Sequence, residues 1–151
     1  MKILVADDDG VTRILLKTLL EKDGHNVIAV SDGVQAMEQL RKEDPPRLAI
    51  LDWEMSPMDG MEVSRRVREG GMHIYLLMLT SRTHRDSVIK GLSGGADDYI
   101  TKPFDHEELR ARIRIGERII SLQTSLAAQL AKAQKALAQI QELKETLNVA
   151  L

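Results

Sequence analysis

Leu48-Ala49-Ile50-Leu51-Asp52 is an unbroken apolar run that stops on a carboxylate. Such a run, without polar alternation, suits a strand buried on both faces, as strands in parallel sheets are. The same unit recurs on either side of it. Lys2-Ile3-Leu4-Val5-Ala6 runs into Asp7-Asp8-Asp9, and Ile14, Leu15, Leu16, Leu19 and Leu20 follow at helical spacing until Asp23-Gly24. Asn26 to Val30 is a second run, and Val34, Met37 and Leu40 carry a helix stopped by Pro45-Pro46. Beyond Asp52, Met61 to Val67 is a helix ending near Gly70-Gly71, and Ile74 to Leu79 is a fourth strand. Val88, Ile89 and Leu92 lie on a helix that stops at Gly94-Gly95, and Tyr99-Ile100 marks a fifth, short strand. Five strand–helix units of this length predict an α/β fold, a parallel sheet with helices on both faces. In such sheets ligands bind at the carboxyl ends of the strands.

Composition narrows the function classes. The chain has 151 residues, 43% hydrophobic and 29% charged, with a net charge of -2. That is enough for one domain with a real core, and neither a basic nucleic-acid surface nor an acidic tail dominates. The absence of cysteine excludes disulfides, thiolate zinc sites and cysteine nucleophiles. No apolar run spans a bilayer and the N-terminal run is too short for a signal peptide, so a soluble cytoplasmic protein is expected. His25, His73, His84 and His106 show no metal-ligand spacing and read as surface or loop residues. No Gly-rich loop follows any strand, which argues against a nucleotide-binding fold.

The predicted strand ends carry the chemistry. Strand one ends in Asp7-Asp8-Asp9, strand three in Asp52, strand four in Thr80-Ser81 and strand five in Thr101-Lys102-Pro103. Taken singly, each has a plainer reading. The acids at 7–9 suit a helix start, Asp52 an ordinary loop, Thr80 a cap, Lys102 a solvated surface and Tyr99 a half-buried strand. Gathered at one sheet edge, they do more. Carboxylates from two strands repel unless a cation neutralises them, and Mg²⁺ takes one or two carboxylates while keeping room for phosphate oxygens. Lys102 adds a mobile positive charge and Thr80 a hydroxyl donor. Together they suit phosphoryl transfer onto an aspartate, a nucleophile that needs no general base, and Asp52 is the best placed.

These residues resemble the response-regulator receiver domain of two-component signalling. The resemblance rests on Asp7-Asp8, on Asp52 with Met55 and Met58-Asp59-Gly60, on Leu79-Thr80-Ser81, and on Gly95-Ala96-Asp97-Asp98-Tyr99-Ile100-Thr101-Lys102-Pro103-Phe104. It covers roughly residues 1–120, the size of one such domain, and leaves 121–151 as a helical extension. It implies a flavodoxin-like, doubly wound five-stranded parallel sheet of order 2-1-3-4-5. It implies that Asp52 takes a phosphoryl group from the phosphohistidine of a sensor histidine kinase or phosphotransfer protein. Asp7, Asp8, Asp52 and the backbone carbonyl of Glu54 would hold Mg²⁺. Thr80 would bond to the phosphoryl group and move towards it, Tyr99 would turn inward in step, Lys102 would pair with the phosphoryl group, and the bond before Pro103 would be cis. Such a protein is a switch that assists its own phosphorylation and dephosphorylation rather than an enzyme. The sequence departs from the family at Ser56, where Pro is usual and here follows as Pro57, and at Ser81, where Ala is common. Glu54 and Arg82 each lie two residues past a key position, and a pairing between them across the pocket mouth is expected to slow water or donor access. Two rivals remain. An aspartate-nucleophile phosphatase would use Glu54 as its acid, but the Asp-x-Asp pattern and cap domain are missing. A silent coiled-coil adaptor would not need the intact acids and Lys102.

From Asp105, with Glu108 as a capping-box partner, helical sequence runs to the end. About 45 residues at 1.5 Å each make roughly 65–70 Å, far more than the domain needs. With Ile119, Leu126, Ala133, Ile140 and Leu147 at position a, position d holds Leu122, Gln129, Ala136, Leu143 and Ala150, and Leu130 and Leu137 add to the seam at e. This predicts a parallel coiled-coil homodimer with a weak middle. Gly116 is expected to mark the hinge where the helix leaves the domain. The pattern breaks off at Leu151, which suggests an output domain removed by truncation. Direct contact with nucleic acid or membrane is not expected.

Overall fold

The computed structural model describes residues 1–81 and 85–150. The elements are β1 (Lys2–Ala6), α1 (Gly10–Lys22), β2 (Asn26–Val30), α2 (Gly33–Leu40), β3 (Leu48–Asp52), α3 (Gly60–Glu69), β4 (Tyr75–Thr80), α4 (Arg85–Ser93), β5 (Asp98–Thr101) and α5 (His106–Ala150). All strand pairs are parallel, and the sheet order is β2-β1-β3-β4-β5. This is the doubly wound order expected. The chain divides into two units, Met1–Glu117 and Arg118–Leu151; α5 begins in the first and continues into the second.

Burial follows strand position. β3 and β4 are buried at every residue, as central strands covered on both faces must be, whereas β2, at the edge, is buried only at Val30. Two strands run further than hydropathy predicts. β4 extends through Thr80, and β5 begins at Asp98 and ends at Thr101, because Thr80 pairs with Thr101 and Leu77 with Asp98. Backbone pairing ends a strand, and polar side chains do not prevent it.

The helices bury narrower stripes than their apolar content suggests. In α1 the core takes Leu16, Leu19 and Leu20, while Val11, Ile14 and Leu15 are exposed. Aspartates start the helices at the strands' carboxyl edge. Asp9 accepts from the Val11 N–H, Asp32 from Gln35, Asp59 from Glu62 and Asp105 from Glu107. The Asp105–Glu108 capping box is not formed, because Glu108 is drawn forward one turn to Arg112 at 3.2 Å. Gly116 lies one residue before Glu117, where the first unit ends. The helix continues through it, and an added Cβ would lie 2.8 Å from Tyr75 Cδ1 and 2.9 Å from Leu48 Cδ1. The glycine is there for close packing on the sheet. His25 is a loop residue, as expected, between α1 and β2, but it is mostly enclosed. Its Nδ1 is enclosed without a partner among the described residues, and its Nε2 lies 3.7 Å from Glu117, because the turn after α1 packs against α5. His73 and His106 are exposed, and His84 and Arg82 lie outside the described residues.

Candidate functional site

Register brings the site together. Ala6 pairs with Leu51 and Asp52 with Leu79, so the strands carrying Asp7, Asp52, Thr80 and Thr101 all end at one edge. Asp7, Asp52 and Thr80 are buried and Asp8 is exposed. Carboxylate oxygens of Asp7, Asp8 and Asp52 all lie within 4.8 Å of one another. Lys102 reaches in from the end of β5, with Nζ 2.9 Å from Asp7 Oδ2 and 3.5 Å from Asp52 Oδ2. Its backbone N–H donates to the Thr80 carbonyl at 2.7 Å, tying the end of β5 to the end of β4. The Lys102-Pro103 and Ser56-Pro57 peptides are both cis.

Three acids face one lysine, and the imbalance shows in the titration of Asp52. Burial, then the charge of Asp7, push its carboxyl up to about 7, and Lys102 and the Glu54 N–H at 3.4 Å offset only part of this. Burial works against the charge on Lys102, but its hydrogen bond to Asp7 and the charges of Asp52 and Asp7 prevail and raise its pKa. Carboxylate oxygens this close, with excess negative charge, fit a small hard dication of the Mg²⁺ type. Asp9 takes no part in the cluster. It caps α1 and accepts from the Thr12 hydroxyl at 2.6 Å, which holds its carboxyl below the usual range.

The loop after β3 is drawn close to the strand. The Trp53 N–H donates to Leu79 and the Gly60 N–H returns to the Trp53 carbonyl. A Cβ on Gly60 would collide with the Asp52 carbonyl, so only glycine lets α3 start this near. Glu54 is exposed beside Asp52; the Arg82 side of the expected pairing lies outside the described residues. Tyr99 is buried, with its ring edge-on to Trp53 at 6.5 Å and 87°. Gly91 of α4 makes room for this pair, since a Cβ there would lie 3.2 Å from the Trp53 ring. An open cavity of about 450 Å³ adjoins the site, lined by Thr12, Leu15, Ser81, Lys102, Pro103 and Phe104.

Two contributors were missed from the sequence. Trp53 is the packing partner of Tyr99, and Arg13 donates to the Asp7 carbonyl at 2.7 Å. An apolar residue beside Asp52 hinted at the first; nothing in the spacing marks the second.

Residues 3–114 match the family model described as the response regulator receiver domain. The chain belongs to the response-regulator receiver family. It is 43% identical over 114 residues to response regulator MprA of Mycobacterium leprae (strain TN), covering 76% of this chain and 50% of that protein. MprA of Mycobacterium ulcerans (strain Agy99) is 41% identical over 128 residues, covering 85% and 55%. The chain thus spans about half the length of these curated relatives. The receiver domain of the Francisella response regulator 1452 superposes with a TM-score of 0.75 at 30% identity, covering 79% of this chain and 98% of that one. The BeF3-activated DrrB receiver domain gives 0.70 at 30% identity, covering 78% and 97%. As a response-regulator receiver, the chain is a signalling module of two-component systems. No described helix is long and apolar enough to cross a membrane.

Proposed function

We propose that Asp52 is the phosphoacceptor of a switch served by a sensor histidine kinase or phosphotransfer protein. The observation that carries this is the convergence of Asp7, Asp8, Asp52 and Lys102 at one sheet edge, with Thr80 at the neighbouring strand end. A carboxylate oxygen of Asp52 bonds to phosphorus as the bond from phosphorus to the donor imidazole breaks. Lys102, now shared between Asp7 and Asp52, pairs with the phosphoryl oxygens, and the Thr80 hydroxyl donates to one of them. Asp7, Asp8, Asp52 and the Glu54 carbonyl would hold Mg²⁺, and the ion would supply positive charge against the phosphoryl oxygens. Tyr99, already buried against Trp53, shifts its packing as Thr80 engages and resets the faces of α4, β5 and α5.

The donor protein docks over Val11, Ile14 and Leu15 of α1 and the adjoining Pro103-Phe104 cavity. That face is apolar, exposed and beside the reactive carboxylate. Output passes from the receiver, residues 1–120, to the helix of 121–151, which pairs in parallel with a second copy and works on an output domain or partner. The protein functions in the cytoplasm, without touching nucleic acid or membrane through this region.

The test is incubation with Mg²⁺ and acetyl phosphate, followed by intact mass and Trp53 fluorescence. One added phosphoryl group is expected, lost in Asp52→Asn. No added mass in the unaltered protein would favour a silent adaptor in which the helix alone carries the function.

A further inference from the structure

We propose that Arg13 is a positioning residue for the metal-binding loop, an inference that rests on the metal reading above. Asp7 lies one residue past the end of β1, where pairing with β3 has stopped at Ala6 and Leu51. Its N–H is taken by Val30 at 3.2 Å. Its carbonyl belongs to a fully buried residue and has no strand partner, so it needs a donor from elsewhere. Arg13 provides one, with Nη1 at 2.7 Å. Arg13 sits in the first turn of α1, where its backbone N–H donates to the Asp9 carbonyl at 3.0 Å. The Asp7 carboxylate is held as well, by the Asp9 N–H and Lys102, both at 2.9 Å.

Asp8 has no such support. It is exposed, and its carboxylate has no partner among the described residues. Its direction is set by the backbone, starting from the Asp7–Asp8 peptide plane that Arg13 fixes. Arg13 makes no ion pair with any described carboxylate, so the bond to the carbonyl is its contribution to the pocket.

Two roles for Arg13 predict opposite signs. As a bare positive charge near three acids it would oppose a dication, and its removal would tighten Mg²⁺ binding. As a positioning group it orients the loop, and its removal loosens binding, by about tenfold if it acts like other outer groups behind metal ligands. The measurement is the Mg²⁺ midpoint, read by Trp53 fluorescence and by calorimetry without any phosphodonor, for the unaltered protein, Arg13→Ala and Arg13→Lys. The expected order is tightest binding in the unaltered protein, weaker in Arg13→Lys and weakest in Arg13→Ala. If Arg13→Ala does not fold, Arg13→Lys alone decides, by a weaker midpoint at unchanged melting temperature. Equal or tighter midpoints in the variants overturn the positioning role. No Mg²⁺ response in the unaltered protein overturns the metal reading itself, and this role with it.

Discussion

Burial and the neighbouring Asp7 push the Asp52 carboxyl up to about 7, against Lys102 and the Glu54 N–H. An unfolded aspartate titrates near 3.9. Between these values the folded protein keeps a proton that the unfolded chain releases, so metal-free stability falls as pH rises through that window. Above it the loss is complete and constant, on the order of a few kcal/mol. Asp52→Asn removes the term. Urea melts in chelator from pH 4.5 to 8 should show a declining curve for the unaltered protein and a flatter one for Asp52→Asn, with the variant more stable at pH 8. Parallel curves would mean that Asp52 is ionised at little cost. Lys102→Ala should carry the decline to higher pH, because it removes the cation that lowers the Asp52 pKa. Asp7, Asp8, Asp52 and Lys102 were legible in the sequence because each lies within two residues of the end of an apolar run, and parallel strands share one carboxyl edge. Arg13 was not. Its bond is to a backbone carbonyl, and every residue has one, so no side-chain pattern announces it.

Glycine and arginine positions show what elements require of each other. At Gly116 two effects of a methyl group compete. Ala gains about 1 kcal/mol of helix propensity. Overpacking against the buried Tyr75 ring and Leu48, 2.8 and 2.9 Å from the new Cβ, costs about 1–3 kcal/mol. Gly116→Ala should therefore destabilise by up to about 2 kcal/mol in denaturant melts; a gain in stability would mean that close packing is not what requires glycine here. Arg68 of α3 ties the connection from α4 into β5 to the sheet. Its guanidinium donates to the carbonyls of Gly95 at 2.8 Å and Ile74 at 2.9 Å and to Asp97 at 2.5 Å, while Asp97 accepts from the Leu76 N–H at 2.7 Å. Arg68→Ala strands those acceptors and should cost about 2–3 kcal/mol, leaving the Mg²⁺ midpoint unchanged. At this scale the alternation of runs and helices was fully legible, since buried parallel strands need unbroken apolar sequence. Helix faces were less so. Ile14 and Leu15 sit at helical spacing but look outward, because a stripe that faces solvent has the same period as one that faces the sheet.

At the scale of the whole molecule, the exposed apolar residues of the extension call for a covering partner. Leu122, Leu126, Leu130, Leu137, Ile140, Leu143 and Leu147 are each between 57% and 69% exposed. Burying such a side chain fully is worth about 1.5–3 kcal/mol. The part still exposed here amounts to roughly 10 kcal/mol per helix, set against an association cost of about 4–15 kcal/mol. Two seams together exceed most of that range, but not by much, because Gln129, Ala133 and Ala136 fill the middle poorly. The predicted dimer is therefore concentration-dependent, as sedimentation equilibrium would show. Gln129→Leu should tighten it and Leu126→Asp should abolish it; a Gln129→Leu protein no more dimeric than the original would mean that position d is misassigned. Direction needs a separate readout, and the absence of native cysteine provides one. In a parallel pair Leu147 faces its own copy across the seam, within disulfide reach. Leu147→Cys should then oxidise to a covalent dimer that still takes a phosphoryl group on Asp52. In an antiparallel pair the two thiols are separated by most of the extension, and the same oxidation leaves monomers on a non-reducing gel.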